Sequence, residues 1–425
     1  MQGIDMLKSL GIGPADILLP ENGVDMQRWA VIACDQYSSD LGYWAKADAF
    51  VGESPSTLRL MVPEAYRDSP EHESMKQKAP AVMEKFLTQG VFRTVPQSFV
   101  YVERMTPFGS PRRGLVAAFD LEKYEFKPGN SMPIRATEET ILSRMPPRML
   151  IRSAAPLECP HIMVLVDDPG HTVIEPLAAK KDTLEKLYDT ALMLGAGSIA
   201  GWRVHGEAEF TRIAQALKAL AARGGMLFAV GDGNHSLAAA KACWDELKGT
   251  LPAEQRETHP ARWALAELVN LHDEALSFHP IHRVVFGADA RELLAVLLWE
   301  MNKRGWEAVM GDEPEGSQSI KYVCAEDKGW LNIARPPVPM AVGTLQQALD
   351  IVLPGIPGAS VDYVHGDDAA ACLGMKPGNM AFLLRGMEKS GLFPTVESQG
   401  ILPRKAFSMG EADEKRFYLE CRKIK

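Results

Sequence analysis

The six cysteines, at positions 34, 159, 243, 324, 372 and 421, are scattered, with no Cys-x-x-Cys pair and no dense framework. This spacing excludes a zinc ribbon and a disulfide-stapled scaffold, and reduced thiols in a cytoplasm fit it best. Positive charge is in deficit: 46 Lys and Arg against 55 Asp and Glu leave a formal charge of -9. Nucleic-acid binders neutralise phosphates with Lys and Arg, so no nucleic-acid partner is expected, short of a local basic groove. No run of about 18 apolar residues occurs, and Met1-Gln-Gly-Ile-Asp-Met-Leu-Lys8 lacks a basic segment followed by an apolar one. Neither a membrane span nor export is expected. Three motifs are missing as well. No Gly-Lys-Ser or Gly-Lys-Thr follows four spacer residues, and there is no His-Glu-x-x-His and no Gly-x-Ser-x-Gly, which removes the P-loop and the readiest metalloprotease and hydrolase readings.

What is there is globular. With 425 residues, 46% of them hydrophobic, the chain can bury one large core or two to three ordinary ones. Strand and helix patterns alternate throughout, predicting a mixed α/β (α+β) fold. Residues 1–150 read as an N-terminal α/β part: Trp29 to Ala33 as a strand, helices over 41–50 and 71–90, and strands at Phe99 to Glu103 and Leu115 to Phe119. Residues 151–288 form a central part, with a strand over 161–166 and helices over 182–194 and 208–222. Gly287 marks the boundary to a third part, 289–425. There, Leu293, Leu294, Leu297 and Leu298 predict a helix, the runs at 320–325 and 330–334 a hairpin, and further elements follow near 345–349, 361–364 and 380–384.

The most informative stretch is Met226-Leu-Phe-Ala-Val230, then Gly231-Asp-Gly-Asn-His-Ser236, then a helical pattern from Leu237 to Lys248. It reads as strand, glycine turn, helix. The first N–H groups of a helix have no partner inside it, and their partial positive charge favours a phosphate or carboxylate. That field is worth only about 0.3–1 kcal/mol when exposed, so cationic side chains must converge on the loop if it is to hold an anion. The alternative is that Ser236 or Asp232 merely caps the helix while the glycines let the chain turn.

Other clusters are weaker. Gly195-Ala-Gly-Ser-Ile-Ala-Gly201 invites a dinucleotide reading, but that fingerprint follows a strand, whereas Leu184, Leu187, Tyr188 and Ala191 are spaced as a helix. His279 and His282 fall on opposite faces if their segment is extended, so a shared metal is not expected, while His282-Arg283 could offer an anion contact through the guanidinium fork. The segment Ile134 to Arg148 places Glu138 and Glu139 near Arg135, Arg144, Arg148 and then Arg152. It is either a solvated charged face or a general base accompanied by phosphate-meeting guanidinium groups. Asp35 and the Asp167-Asp168 pair could ligate magnesium, although turn and cap roles suit them equally.

Asp232-Gly-Asn-His-Ser236 after a strand, Glu138-x-Thr140 upstream, His279-Pro-Ile-His-Arg283 and the terminal Leu402-Pro-Arg-Lys-Ala-Phe-Ser408 resemble the family called domain of unknown function 1015. Trp29 to Tyr37 and Pro55-Ser-Thr-Leu58 fit the same family, so the resemblance spans nearly the whole chain. More distantly, the turn is similar to that of the ParB and sulfiredoxin-like fold, whose members include nucleotide-dependent free serine kinases. Asp232, Gly233 and His235 match that turn; Asn234 stands where a histidine is usual, Ser236 where an arginine is, and Thr137 replaces the histidine before the matching Glu138.

The resemblance implies a ParB/sulfiredoxin-like nucleotide-binding core with additional α/β segments. It also implies a cytoplasmic phosphotransferase moving a phosphoryl group from ATP or ADP to a small hydroxyl metabolite such as serine. Glu138 would be the base and His235 would orient a phosphate or act as the acid. Asp232, Gly233, Asn234 and Ser236 would surround the phosphates with Arg148 or Arg283 replacing the lost arginine, and Mg²⁺ would bridge oxygens on ligands the sequence leaves open. The alternative is a non-catalytic sensor that binds a nucleotide or phosphorylated metabolite at the same loop. Oligomeric state stays open.

Overall fold

The strands Phe92–Met105 and Arg112–Asp120 contain the two apolar runs at Phe99 and Leu115, and they pair antiparallel with Val100 opposite Val116. Successive residues of a strand face opposite sides. Phe99, Tyr101, Leu115, Ala117 and Phe119 enter one core, while Val100, Val102, Val116 and Ala118 enter another. The sheet is thus buried on both faces, which is why these strands lack the polar alternation of a half-exposed strand.

The computed structural model describes residues 2–107, 109–142, 145–403 and 405–425. Among them the main sheet runs Lys186–Ala191, Ser198–Val204, Phe92–Met105, Arg112–Asp120, Trp263–Asn270, Met163–Val166, Phe228–Asp232, Ile134–Ala136, Tyr124–Glu125. It is mixed: Phe228–Asp232 is antiparallel to Met163–Val166 and parallel to Ile134–Ala136. The parallel pair sets Val230 beside Ala136, so both chains leave the sheet at the same end. Helix Glu207–Ala221 buries Phe210, Ile213, Ala214, Leu217 and Leu220 at helical spacing against one core.

Two compact units result, where the sequence suggests three parts. One comprises the chain up to Ser277 with Glu397–Gly400 and Gly410–Lys425; the other comprises Phe278–Val396 and Ile401–Met409. The division falls before Phe278, ahead of the glycine at 287, because the strand Phe278–Phe286 pairs with Ser360–His365 and Asn379–Leu383. The chain's end rejoins the first unit because Phe417–Tyr418 pairs with Val31–Ile32, and Arg422–Lys423 with Leu157–Glu158. Such pairings between distant segments leave no mark in local composition. The second unit carries a sheet in the order Ala308–Gly311, Lys328–Ile333, Gln318–Cys324, Asn379–Leu383, Phe278–Phe286, Ser360–His365. Helices Ala290–Lys303 and Ala341–Val352 also belong to it.

Two elements differ from expectation. Trp29 ends a short helix, Met26–Trp29, and only Val31–Ile32 is strand. The helix expected over 182–194 is the strand Lys186–Ala191. A register shift between Lys186 and Tyr188 breaks the period of two, so the adjacent Leu187 and Tyr188 are both buried and the spacing imitates a helix. The glycines that follow form a tight reversal, with Gly195 and Gly197 at φ +80° and +88°, and lead into a second strand, Ser198–Val204. A dinucleotide fingerprint needs a helix there.

Candidate functional site

The strand Phe228–Asp232 passes through Gly233 into the helix Asn234–Lys248, as the sequence predicts. Gly233 is at φ +75°, and a Cβ on it would meet Ile162 Cγ1 at 3.0 Å and Ile162 Cα at 3.1 Å. Both conditions call for glycine. Gly233→Ala is therefore expected to cost about 1–3 kcal/mol of stability, read as a lowered midpoint in urea; an unchanged midpoint would show that the turn relaxes freely.

No side chain caps this helix, so the capping role open to Ser236 or Asp232 is not the one they take. The Asp232 carboxylate accepts from the N–H of Gly233 at 2.9 Å and pairs with Lys415 Nζ at 3.3 Å. Burial works against its charge, yet Lys415 and then His161 hold its pKa below the ordinary value. Asn234 is buried: its Oδ1 accepts from Thr137 N at 3.2 Å, and its Nδ2 donates to Val230 O at 3.3 Å and Thr137 Oγ1 at 3.4 Å. Thr137 Oγ1 donates to Val230 O at 2.6 Å. Thr137 and Asn234 thus contact each other and lock the parallel strand ends together. His235 Nε2 accepts from Ile141 N at 3.1 Å, tying the segment after Glu138 to the first turn of the helix. Glu138, partly buried, follows Thr137 directly.

Beside this junction lies a cavity of about 470 Å³. Ser236 and Ala239 of the helix line it, as do Arg67, Lys76, Arg148, Arg152, His72, His161, Glu64, Glu158, Cys34 and Tyr418. Leu60, Val62, Met83, Ile151 and Leu157 supply an apolar wall. His161 and Ile162 also line it, and since Ile162 packs on Gly233, the turn backs one wall while the helix faces the cavity.

Of the site residues expected from the sequence, the cavity brings together Ser236 and Arg148. Asp232, Gly233, Asn234, His235 and Glu138 stand at the junction behind and beside it. Arg148 pairs with Glu64, and Arg152 donates to Glu158 at 2.6 Å. Arg283 is a different case. It belongs to the second unit and is fully buried, with Nε on Gln346 Oε1 at 3.0 Å, Nη1 on Ile281 O at 2.7 Å and on Lys405 O at 2.9 Å, and the Tyr363 ring 4.8 Å away. The structure does not bring it together with the loop inside one unit. Arg144 lies outside the described residues. His279 and His282 do not converge: His282 is buried and bonds Asp367 and the N–H of Leu384, while His279 sits opposite Ser408 in the strand pairing.

Sequence reading missed Cys34, Glu64, Arg67, Lys76, His161 and Tyr418, which converge from distant segments. His161 Nδ1 lies 2.7 Å from the Tyr418 hydroxyl, which accepts from the N–H of Cys34 at 3.3 Å; His161 Nε2 is 3.8 Å from Asp35. Burial, then Asp35, pushes the Cys34 thiol up to about 12, so it stays protonated at neutral pH and is no ready nucleophile. Acidic groups near the cavity have cationic or imidazole partners: Glu64 with Arg148 and Arg67, Glu158 with Arg152 and Arg422, Asp232 with Lys415, Asp35 near His161. Asp168 accepts from the N–H groups of Thr172 and Val173 and caps its turn. No three His, Cys, Asp or Glu among the described residues are grouped to hold a metal, and the paired carboxylates do not fit a ready-made magnesium cage. Nor is any helix among those residues long and apolar enough to cross a membrane.

Among solved structures, a free serine kinase mutant in complex with AMP is similar at 10% identity and a TM-score of 0.42, over 73% of this chain and 92% of its own. A conserved hypothetical protein from Pyrococcus furiosus is similar at 11% identity and a TM-score of 0.38, over 73% and 95%. SbnI with a C-terminal truncation, from Staphylococcus aureus, is similar at 11% identity and a TM-score of 0.37, over 69% and 82%. No curated protein matches. The model of the family described as "Protein of unknown function (DUF1015)" matches residues 18–352, most of the chain, and the protein belongs to that family.

Proposed function

We propose that this chain is a nucleotide-dependent phosphotransferase that binds ATP or ADP in the cavity of its first unit and transfers a phosphoryl group to a small hydroxyl metabolite such as serine. The observation that carries the reading is the lining of that cavity: Arg67, Lys76, Arg148 and Arg152 against Glu64 and Glu158, next to an apolar wall and the first turn of a helix. A purine needs apolar faces, and phosphates need converging cations and N–H donors. The chain carries net negative charge overall, and the gathering of cations here supports an anion site.

In the proposed step the acceptor hydroxyl oxygen bonds to the terminal phosphorus while the bond from phosphorus to the bridging oxygen of the nucleotide breaks. Glu138 takes the acceptor proton, Arg148 offsets the charge of the phosphate oxygens, and the Ser236 hydroxyl donates to one of them. Magnesium, if it came with the nucleotide, would offset phosphate charge; no step is assigned to it, and the nearby carboxylates, being paired, would not hold it. One observation favours the sensor alternative: His235 Nε2 accepts a hydrogen bond from Ile141, so that atom offers no proton to a leaving group.

Titration calorimetry with ATP and ADP tests the reading. Arg148→Met is expected to weaken binding by about 1.5–3 kcal/mol, the range for a hydrogen bond to a charged group, or roughly 10- to 100-fold. Affinity unchanged in this variant, or no nucleotide binding by the wild type, would overturn the site. Binding without any phosphorylated product over a panel of hydroxyl acceptors that includes serine would select the sensor.

A further inference from the structure

Arg422–Lys423 and Leu157–Glu158 form an antiparallel pair in which Arg422 faces Glu158 and Lys423 faces Leu157. One position further along that register, Cys421 faces Cys159. The kind of pairing at this position follows from the backbone bonds. The N–H of Cys421 donates to Leu18 O at 2.9 Å and its carbonyl accepts from Leu18 N at 2.8 Å, so both groups point away from Cys159. Ile424 N donates to Pro156 O at 3.0 Å, three positions along, which gives the same alternation. Cys159 and Cys421 are therefore a non-hydrogen-bonded pair, the kind with Cα atoms about 4.5 Å apart and side chains closest together. A disulfide spans Cα separations of roughly 4.4–6.8 Å. Both cysteines are free.

Their surroundings differ. Cys421 is fully buried, and burial, then Cys159, raises its thiol well above the ordinary value. Cys159 is only partly buried and lines the cavity. An oxidant small enough to enter a space of about 470 Å³ meets Cys159 and not Cys421.

We propose that Cys159 and Cys421 are a redox-active dithiol, with Cys159 the sulfur attacked from the cavity by a hydroperoxide and Cys421 the resolving partner. The Cys159 thiolate attacks a peroxide oxygen and the O–O bond breaks, giving a sulfenic acid and, with hydrogen peroxide, one water. The Cys421 sulfur then attacks the Cys159 sulfur, the S–O bond breaks and hydroxide leaves with the Cys421 proton as a second water. Two thiols and one hydrogen peroxide become one disulfide and two waters. The bond would fasten the chain's last strand to the cavity wall, whatever ligand the cavity takes.

The reduced, folded full chain is exposed to one equivalent of hydrogen peroxide, alkylated in denaturant, digested without reductant and read by mass spectrometry. The expected result is a peptide pair joined through Cys159 and Cys421, two hydrogens lighter than the reduced peptides and separated again by dithiothreitol. In Cys421→Ser, Cys159 is expected to stop at a sulfenic acid that dimedone captures. A bond from Cys159 to Cys34, or Cys159 carried on to sulfinic acid with no cross-link in the wild type, would overturn the proposal without any variant being needed.

Discussion

Glu138→Gln is expected to slow phosphoryl transfer by roughly 10²- to 10⁴-fold, the usual worth of a positioned general base, while leaving nucleotide affinity close to that of the wild type. The amide keeps the size of the carboxylate and loses its capacity to accept the acceptor's proton. Thr137, immediately before it, is held by Asn234 and Val230, and Ile141, three residues after it, donates to His235. Glu138 is thus anchored on both sides at the mouth of the parallel strand pair, and the substitution should not displace the backbone. Initial rates of product formation with saturating nucleotide, set beside calorimetric affinities, separate the two effects. A variant that turns over at the wild-type rate would remove Glu138 from the mechanism, and a parallel loss of affinity would make it a binding residue instead.

Arg416→Met is expected to destabilise the first unit by about 3–5 kcal/mol, the range for breaking a buried ion pair from one side. Arg416 is 2% exposed. It pairs with Glu267 and, at 2.7 Å, with Glu420, and its Nε donates to Pro160 O at 3.3 Å. Burial opposes the charge of Glu267, and Arg112 followed by Arg416 holds its pKa below the ordinary value. Without Arg416 two carboxylates, at 1% and 0% exposure, lose their closest cation. Urea unfolding followed by tryptophan fluorescence measures the cost. A loss under about 1 kcal/mol would mean that water or Arg112 takes over, as it does for exposed pairs. The same residue anchors the returning terminus, so its loss should also loosen the Phe417–Tyr418 pairing, seen as faster amide exchange there.

Thr137 and Asn234 show what a turn motif leaves out. Each reads in isolation as a departure from the turn, and only their contact across the strand ends shows that together they hold the junction by hydrogen bonds. Arg283 shows the opposite: a guanidinium beside a histidine looks available to an anion, whereas its Nε and Nη1 donate to Gln346 and to carbonyl groups. Lys186–Ala191 imitated a helix because a bulge places neighbouring residues on one side of the sheet. For Thr137 and Arg283 the deciding partners lie far along the chain.

The amino-acid order alone determined the strand–turn–helix at 228–248, because a buried apolar run, a residue forced to positive φ and a helical apolar stripe are all local. It also determined the amphipathic helices and the paired apolar strands, since each follows from a period that neighbouring residues carry. The tertiary structure decided which side chains meet. Cys34, Glu64, Arg148, His161 and Tyr418 share one cavity, and the chain's end closes the first unit through Glu158 and Glu267. Convergence of this kind depends on sheet order and on the burial of charges against distant partners, which no short window of sequence encodes.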